Sequence, residues 1–156
     1  MRHKQRGFSL IELLIVVAII LIIAAIAIPN LVHSKMSANE ASAVGSMRTL
    51  NTAIITYSTV YGGYPHALSN LGPASPATSA SADMIDSVLA SGTKTGYRFS
   101  YSPGATDASG NVLNYSIAGQ PVVVGSTGHR FFFTDQSGVI RANTGGIADA
   151  NSTPIS

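Results

Sequence analysis

The chain contains no cysteine. Disulfides, thiol nucleophiles and thiolate metal sites are therefore excluded. Charge is scarce as well: nine Lys and Arg and seven Asp and Glu side chains are spread over 156 residues. The basic excess is local, because Arg2, Lys4 and Arg6 supply three of the nine cations. From Phe8 onward six basic residues face seven acidic ones, so no general basic surface exists and nucleic-acid binding is not indicated. Catalytic patterns are missing too. His3, His33, His66 and His129 show no metal-ligand spacing, and there is no P-loop and no G-x-S-x-G. Neither an enzyme nor a cofactor is implied.

What the chain does possess is one long apolar run. Leu13 to Ile28 is uninterrupted, and extension back to Phe8 gives 21 residues broken only by Ser9 and Glu12. As a helix this length reaches roughly 31 Å, the thickness of a bilayer's hydrocarbon core. A helix that is apolar all round belongs in lipid or inside other protein. The β-branched residues are no obstacle, since in lipid a helix satisfies its own backbone. Arg2, Lys4 and Arg6 before the run mark the cytoplasmic side and place the bulk of the chain outside the inner membrane. Glu12 stands inside the run. A carboxylate there either snorkels to the headgroups or has a partner.

A basic leader ending in Gly7, then Phe8-Ser9-Leu10-Ile11-Glu12-Leu13-Leu14, then a run closing with Ala27-Ile28-Pro29-Asn30, resembles the precursors of type IV pilins and type II secretion pseudopilins. The resemblance covers about the first fifth of the chain. It implies cleavage by a prepilin peptidase between Gly7 and Phe8, N-methylation of Phe8, and neutralisation of a neighbour's Phe8 amine by Glu12 during assembly. A paired carboxylate and ammonium cost far less to bury than either alone. The competing reading is a secretory signal peptide cut at Ala25-Ile26-Ala27. Against it stand the length of the run, its carboxylate, and the helical pattern that continues beyond the cut. The family also implies a pilin fold, an α+β arrangement of a long N-terminal helix on a small C-terminal antiparallel sheet. Many pilins close a C-terminal loop with a disulfide, and this chain departs from that pattern.

Five segments follow: a cleaved leader (1–7), a membrane and filament-core helix (8–30), its amphipathic continuation (31–61), a connecting loop with a short helix (62–95), and a sheet with its tail (96–156). Met47, Leu50, Ile54, Tyr57 and Tyr61 recur every three or four residues and form one face, with Arg48, Asn51, Thr52 and Ser58 on others. Pro29 is expected to kink the helix, and Gly45 to weaken it, with local melting possible at both. Ala38, Ala41, Ser42 and Gly45 permit close helix approach in a bundle, or simply face solvent. Gly62-Gly63 end the helix. Residues 83–91 suggest a short helix capped by Ser81 or Asp83, with Ile85, Val88 and Leu89 inward and Gly92 as its stop.

From Gly96 the period becomes two. Strands are expected at 97–101, 112–117, 122–124, 129–134 and 139–142, in a meander of three to five, with a mobile tail from Asn143. Asp107 and Asp135 lie beside turn glycines, where Asx turns are their expected role. The family's calcium-binding members raise a metal role for Asp107, Asp135 or Asp149, although no dense run of oxygen ligands is present. Tyr57, Tyr61, Tyr64, Tyr97, Phe99 and Phe131 to Phe133 could serve as a ligand surface or a charge-carrying stack, but core packing is their expected role. Asn114-Tyr115-Ser116 and Asn151-Ser152-Thr153 match the glycosylation sequon. The resulting reading is a structural filament subunit, a pilus pilin first and a pseudopilin second. Its partners are further copies of itself, the prepilin peptidase, the assembly machinery and the inner membrane. A secreted binding domain is the alternative of another class.

Overall fold

A computed structural model describes residues 7–155. Arg2, His3, Lys4 and Arg6 lie outside the described residues. The chain divides into two compact units, the first extending to Lys35 and the second beginning at Met36. One helix, α1 (Leu10–Tyr61), supplies residues to both.

In the first unit the apolar run is helical, and its membrane-length apolar window has no buried residue. Leu14, Ile19, Ile23 and Ile28 are all more than half exposed. The helix continues unbroken through Pro29, and in the second unit through Gly45, so neither residue melts a turn. Proline removes one backbone donor. Here the Asn30 side-chain amide adds a bond to the Ile26 carbonyl, 3.0 Å away.

In the second unit α1 packs on a sheet through Met47, Leu50, Ile54 and Tyr57, as their spacing predicts. Burial of each aliphatic side chain is worth about 1.5–3 kcal/mol. Tyr61 is only half-buried. Asn51, expected on another face, is buried, because the sheet offers it partners. Its amide donates to Thr134 Oγ1 at 3.0 Å and to the Gly138 carbonyl at 3.2 Å.

The sheet has six strands in sequential order: β1 (Thr93–Lys94), β2 (Tyr97–Pro103), β3 (Tyr115–Pro121), β4 (Phe131–Asp135), β5 (Arg141–Asn143) and β6 (Thr153–Pro154). Every neighbouring pair is antiparallel. Tyr97 and Phe99 point inward while Arg98 and Ser100 face out, and Phe132 is buried between half-buried Phe131 and Phe133. Gly119 on β3 sits in register between Phe99 and Phe132. A Cβ there would lie 3.4 Å from the Met47 sulfur, an ordinary packing contact.

Several expectations change. The 122–124 segment is no strand: Val122, Val123 and Val124 are exposed, in a loop whose turn is closed by Gly125 N–H on the Gly128 carbonyl. Pro121 ends β3 and has no N–H for a further ladder bond. The second strand begins at Tyr115 rather than Val112, the fourth at Phe131 rather than His129, and the fifth spans Arg141–Asn143. The tail is not free of structure, because β6 pairs with β5 and Arg141 holds the Ser152 carbonyl at 3.1 Å. In the connecting loop, the helix at 83–91 contracts to α2 (Ser87–Ala90). Its cap is Asp86, not Ser81 or Asp83. The Asp86 carboxylate accepts from Leu89 N at 2.8 Å and pairs with Lys94, which then Leu89 N–H hold it below the usual carboxylate range. Ile85 and Leu89 point inward but Val88 is exposed. Gly92 follows at a positive φ of 79°, as the helix stop requires.

Candidate functional site

Ser9 initiates α1. Its hydroxyl accepts from Ile11 N at 3.3 Å, and the Glu12 carboxylate reaches back to accept from Ser9 N at 2.9 Å. The Glu12 bond is the returning half of a capping box, while the Ser9 hydroxyl caps the second helical N–H rather than the third. The geometry follows from helical sterics, since side chains lean toward the N-terminus. It brings Glu12 to the peptide joining Phe8 to Ser9. Gly7 and Phe8 are exposed, and Phe8 has three-quarters of its surface open. Three of the residues singled out by sequence, Gly7, Phe8 and Glu12, thus cluster at one helix start, while Pro29 lies in the helix body. Ser9 was missed, although the S-x-x-E spacing before an apolar run signals it.

The exposed hydrophobic surface from Leu10 to Ile28 is the wall of this site. Such a surface suits lipid, and equally the flanks of other apolar helices.

A second polar cluster belongs to the second unit. Glu40 on α1 accepts from His129 N at 2.8 Å, Arg130 N at 3.2 Å and Arg130 Nε at 2.7 Å. Burial pushes the Glu40 carboxyl up, but the His129 N–H and the Arg130 side chain and N–H outweigh it, leaving the group below its ordinary value. Asn39 donates to the Thr127 carbonyl at 2.9 Å, and Arg130 lies over the Phe132 ring at 5.4 Å. These contacts fasten the 122–130 loop to α1. They form a structural clasp and do not supply a reactive constellation.

The aspartates considered for metal binding are occupied by turns. Asp107 accepts from Ser109 N and Asn111 N at 2.8 and 2.9 Å, and Asn111 lowers its pKa. Asp135 accepts from Ser137 N at 2.9 Å. Asp149 accepts from Asn151 N and from the Ser152 hydroxyl, which lowers its pKa. Among the described residues no three His, Asp or Glu side chains converge on a common point for a metal. Tyr57, Tyr97, Phe99, Tyr115 and Phe132 are buried in the core, and Tyr61, Tyr64 and Tyr101 pack half-buried against it: Tyr97 stands 5.6 Å from Phe132, and Tyr101 stacks on Tyr115 at 5.9 Å. Burial raises the pKa of Tyr97 and Tyr101 and pushes that of Tyr115 up to about 12. Tyr97 donates to the Arg130 carbonyl and Tyr101 to the Pro65 carbonyl.

Residues 2–28 match the prokaryotic N-terminal methylation motif. Similar proteins include the type II secretion system core protein G of Dickeya chrysanthemi, 32% identical over 46% of this chain and 47% of its own. The type IV major pilin protein PilA of Myxococcus xanthus is 50% identical over 32% of this chain and 23% of its own. The type IV wide pilus major component PilA4 of Thermus thermophilus is 60% identical over 24% of this chain and 29% of its own. The chain thus spans less than half the length of each of these relatives. No solved structure matches significantly. Over its N-terminal part, through the methylation motif and the apolar helix that carries it, this chain is similar to pilins and to type II secretion pseudopilins alike.

Proposed function

We propose that the chain is a structural subunit of a type IV pilus. A prepilin peptidase cuts it between Gly7 and Phe8, and Phe8 then carries an N-methylated amine. The subunit waits in the inner membrane with its C-terminal unit outside the cytoplasm. It then polymerises with copies of itself through the N-terminal helix, handled by the pilus assembly machinery.

The observation that carries this reading is the helix start, where Glu12 sits beside the Phe8–Ser9 peptide at the head of an exposed apolar helix. Cleavage would create an ammonium group at Phe8. Buried in a helical bundle, that ammonium needs a counter-charge, and Glu12 is the only carboxylate of the apolar run. The same apolar surface suits both lipid and neighbouring helices. Repetition of one contact that does not close yields an open helical polymer.

A second reading, pseudopilin of a type II secretion system, is favoured by the match to core protein G, which extends over 72 residues, against 50 and 38 for the two pilus proteins above. Negative-stain micrographs of cells with and without the gene separate the two. Pilus function predicts that long surface filaments disappear with the gene. Unchanged filaments together with loss of protein secretion would move the chain to the pseudopilin class.

A further inference from the structure

A cleft of about 430 Å³ opens where the end of α1 meets the 79–80 turn and the 109–111 loop. Its size falls within the range of small-molecule sites. Tyr61, Tyr64, His66, Asn70, Ser109 and Asn111 are among the residues that line it. All belong to the second unit.

The walls are fixed before any ligand arrives. Tyr57 at the cleft's inner side donates its hydroxyl to the Ser79 carbonyl at 2.7 Å, and Asn70 donates to the Ala80 carbonyl at 3.1 Å. Tyr64 N–H bonds the Val112 carbonyl at 3.0 Å, and Asn111 is held to Asp107 through both its backbone and its side-chain amide. Gly63 completes the shape. A Cβ there would stand 2.8 Å from the Asn111 Cβ, so only glycine lets the helix end lie against the loop. A preformed cleft spares a ligand the cost of ordering it.

The lining decides the class of ligand. It contains ring faces, an imidazole, amides and hydroxyls, but no Lys, Arg, Asp or Glu. An anionic ligand would find no counter-charge there, and Asp107, next to the lining, already spends its carboxylate on the N–H groups of Ser109 and Asn111. A purely apolar ligand would cover hydrogen-bonding groups without pairing them, which costs binding energy. The ligand that answers both demands is a neutral ring with an apolar C–H face and a rim of hydroxyls. We propose that this cleft is a binding site for a neutral saccharide, with Tyr61 and Tyr64 offering ring faces and His66, Ser109 and Asn111 meeting the hydroxyl rim. The site is independent of whether the filament is a pilus or a pseudopilus.

The chain has six tyrosines and no tryptophan, and Tyr57, Tyr61 and Tyr64 all border the cleft, so tyrosine emission reports on it directly. The test uses the full chain in a phosphocholine detergent, which has no sugar headgroup. Lactose, maltose and N,N′-diacetylchitobiose are titrated by fluorescence and calorimetry, beside the anionic sugar N-acetylneuraminic acid. Saturable millimolar binding of at least one neutral disaccharide is expected. Tyr61→Ala and His66→Ala should each weaken it at least tenfold, whereas Val123→Ser, on the exposed loop, should not. His66 is exposed, so its variant keeps the fold even if Tyr61→Ala does not. Flat titrations with all three disaccharides, tighter binding of the anionic sugar, or unchanged binding in His66→Ala would overturn the assignment.

Discussion

One carboxylate at Glu12 serves two structures. Within the chain it caps its own helix through Ser9 N–H, and in the proposed filament it faces a neighbour's Phe8 ammonium. The two uses are compatible, because the cap holds the carboxylate at the helix start, where the proposed cleavage would leave the subunit's amine. They are also separable by mutation. Glu12→Leu removes both cap and charge, yet makes the run more apolar, so insertion and cleavage should persist. Assembly should fall sharply, since an uncompensated buried charge costs roughly 3–5 kcal/mol. Glu12→Gln preserves a capping side chain and should give an intermediate filament yield. Ser9→Ala keeps the charge and loses a cap worth about 1 kcal/mol, so its yield should stay close to wild type. The measurement is sheared filament relative to processed subunit for each variant. Wild-type yield from Glu12→Leu would leave Glu12 as an ordinary interfacial carboxylate.

Among the elements, the helix was the most legible in the sequence, because Met47, Leu50, Ile54 and Tyr57 repeat with its period and all are buried. Asn51 was misplaced because composition marks it as polar but cannot show that Thr134 and Gly138 wait across the interface. The strand alternation at Tyr97 and Phe99 was plain too. Val122 to Val124 carry strong strand propensity, yet Pro121 and the Gly125 turn override it. β6 left no mark, being two exposed residues whose only signal is their pairing with β5. The clasp between α1 and the 122–130 loop was equally silent, since Glu40 and Arg130 are 90 residues apart. It carries its own pH signature. Glu40 titrates below the usual carboxyl value of 4.5 in the folded chain, so its contribution is fully present above that value and is lost as pH falls through the folded pKa. Glu40→Gln should therefore lower the melting temperature more at pH 7 than at an acid pH below the folded pKa of Glu40, as followed by circular dichroism. An equal loss at both pH values would show that the clasp is not electrostatic.

At the scale of the whole molecule, the second unit has a continuous core of its own, running from Ala43 through Phe132 to Ile140. A fragment beginning at Met36 should thus be soluble, monomeric and cooperative in melting, measured by sedimentation and calorimetry. Aggregation or a gradual melt would mean that the core needs the preceding residues. The first unit, by contrast, exposes its membrane-length apolar window, a surface that suits lipid or neighbouring apolar helices. In the proposed filament, residues from Phe8 onward stay in the mature protein and build the shared bundle. The most direct test is the intact mass of the subunit from purified surface filaments. The expected chain begins at Phe8 and carries one added methyl group. A chain beginning at Ile28, with the apolar helix removed, would contradict the proposal.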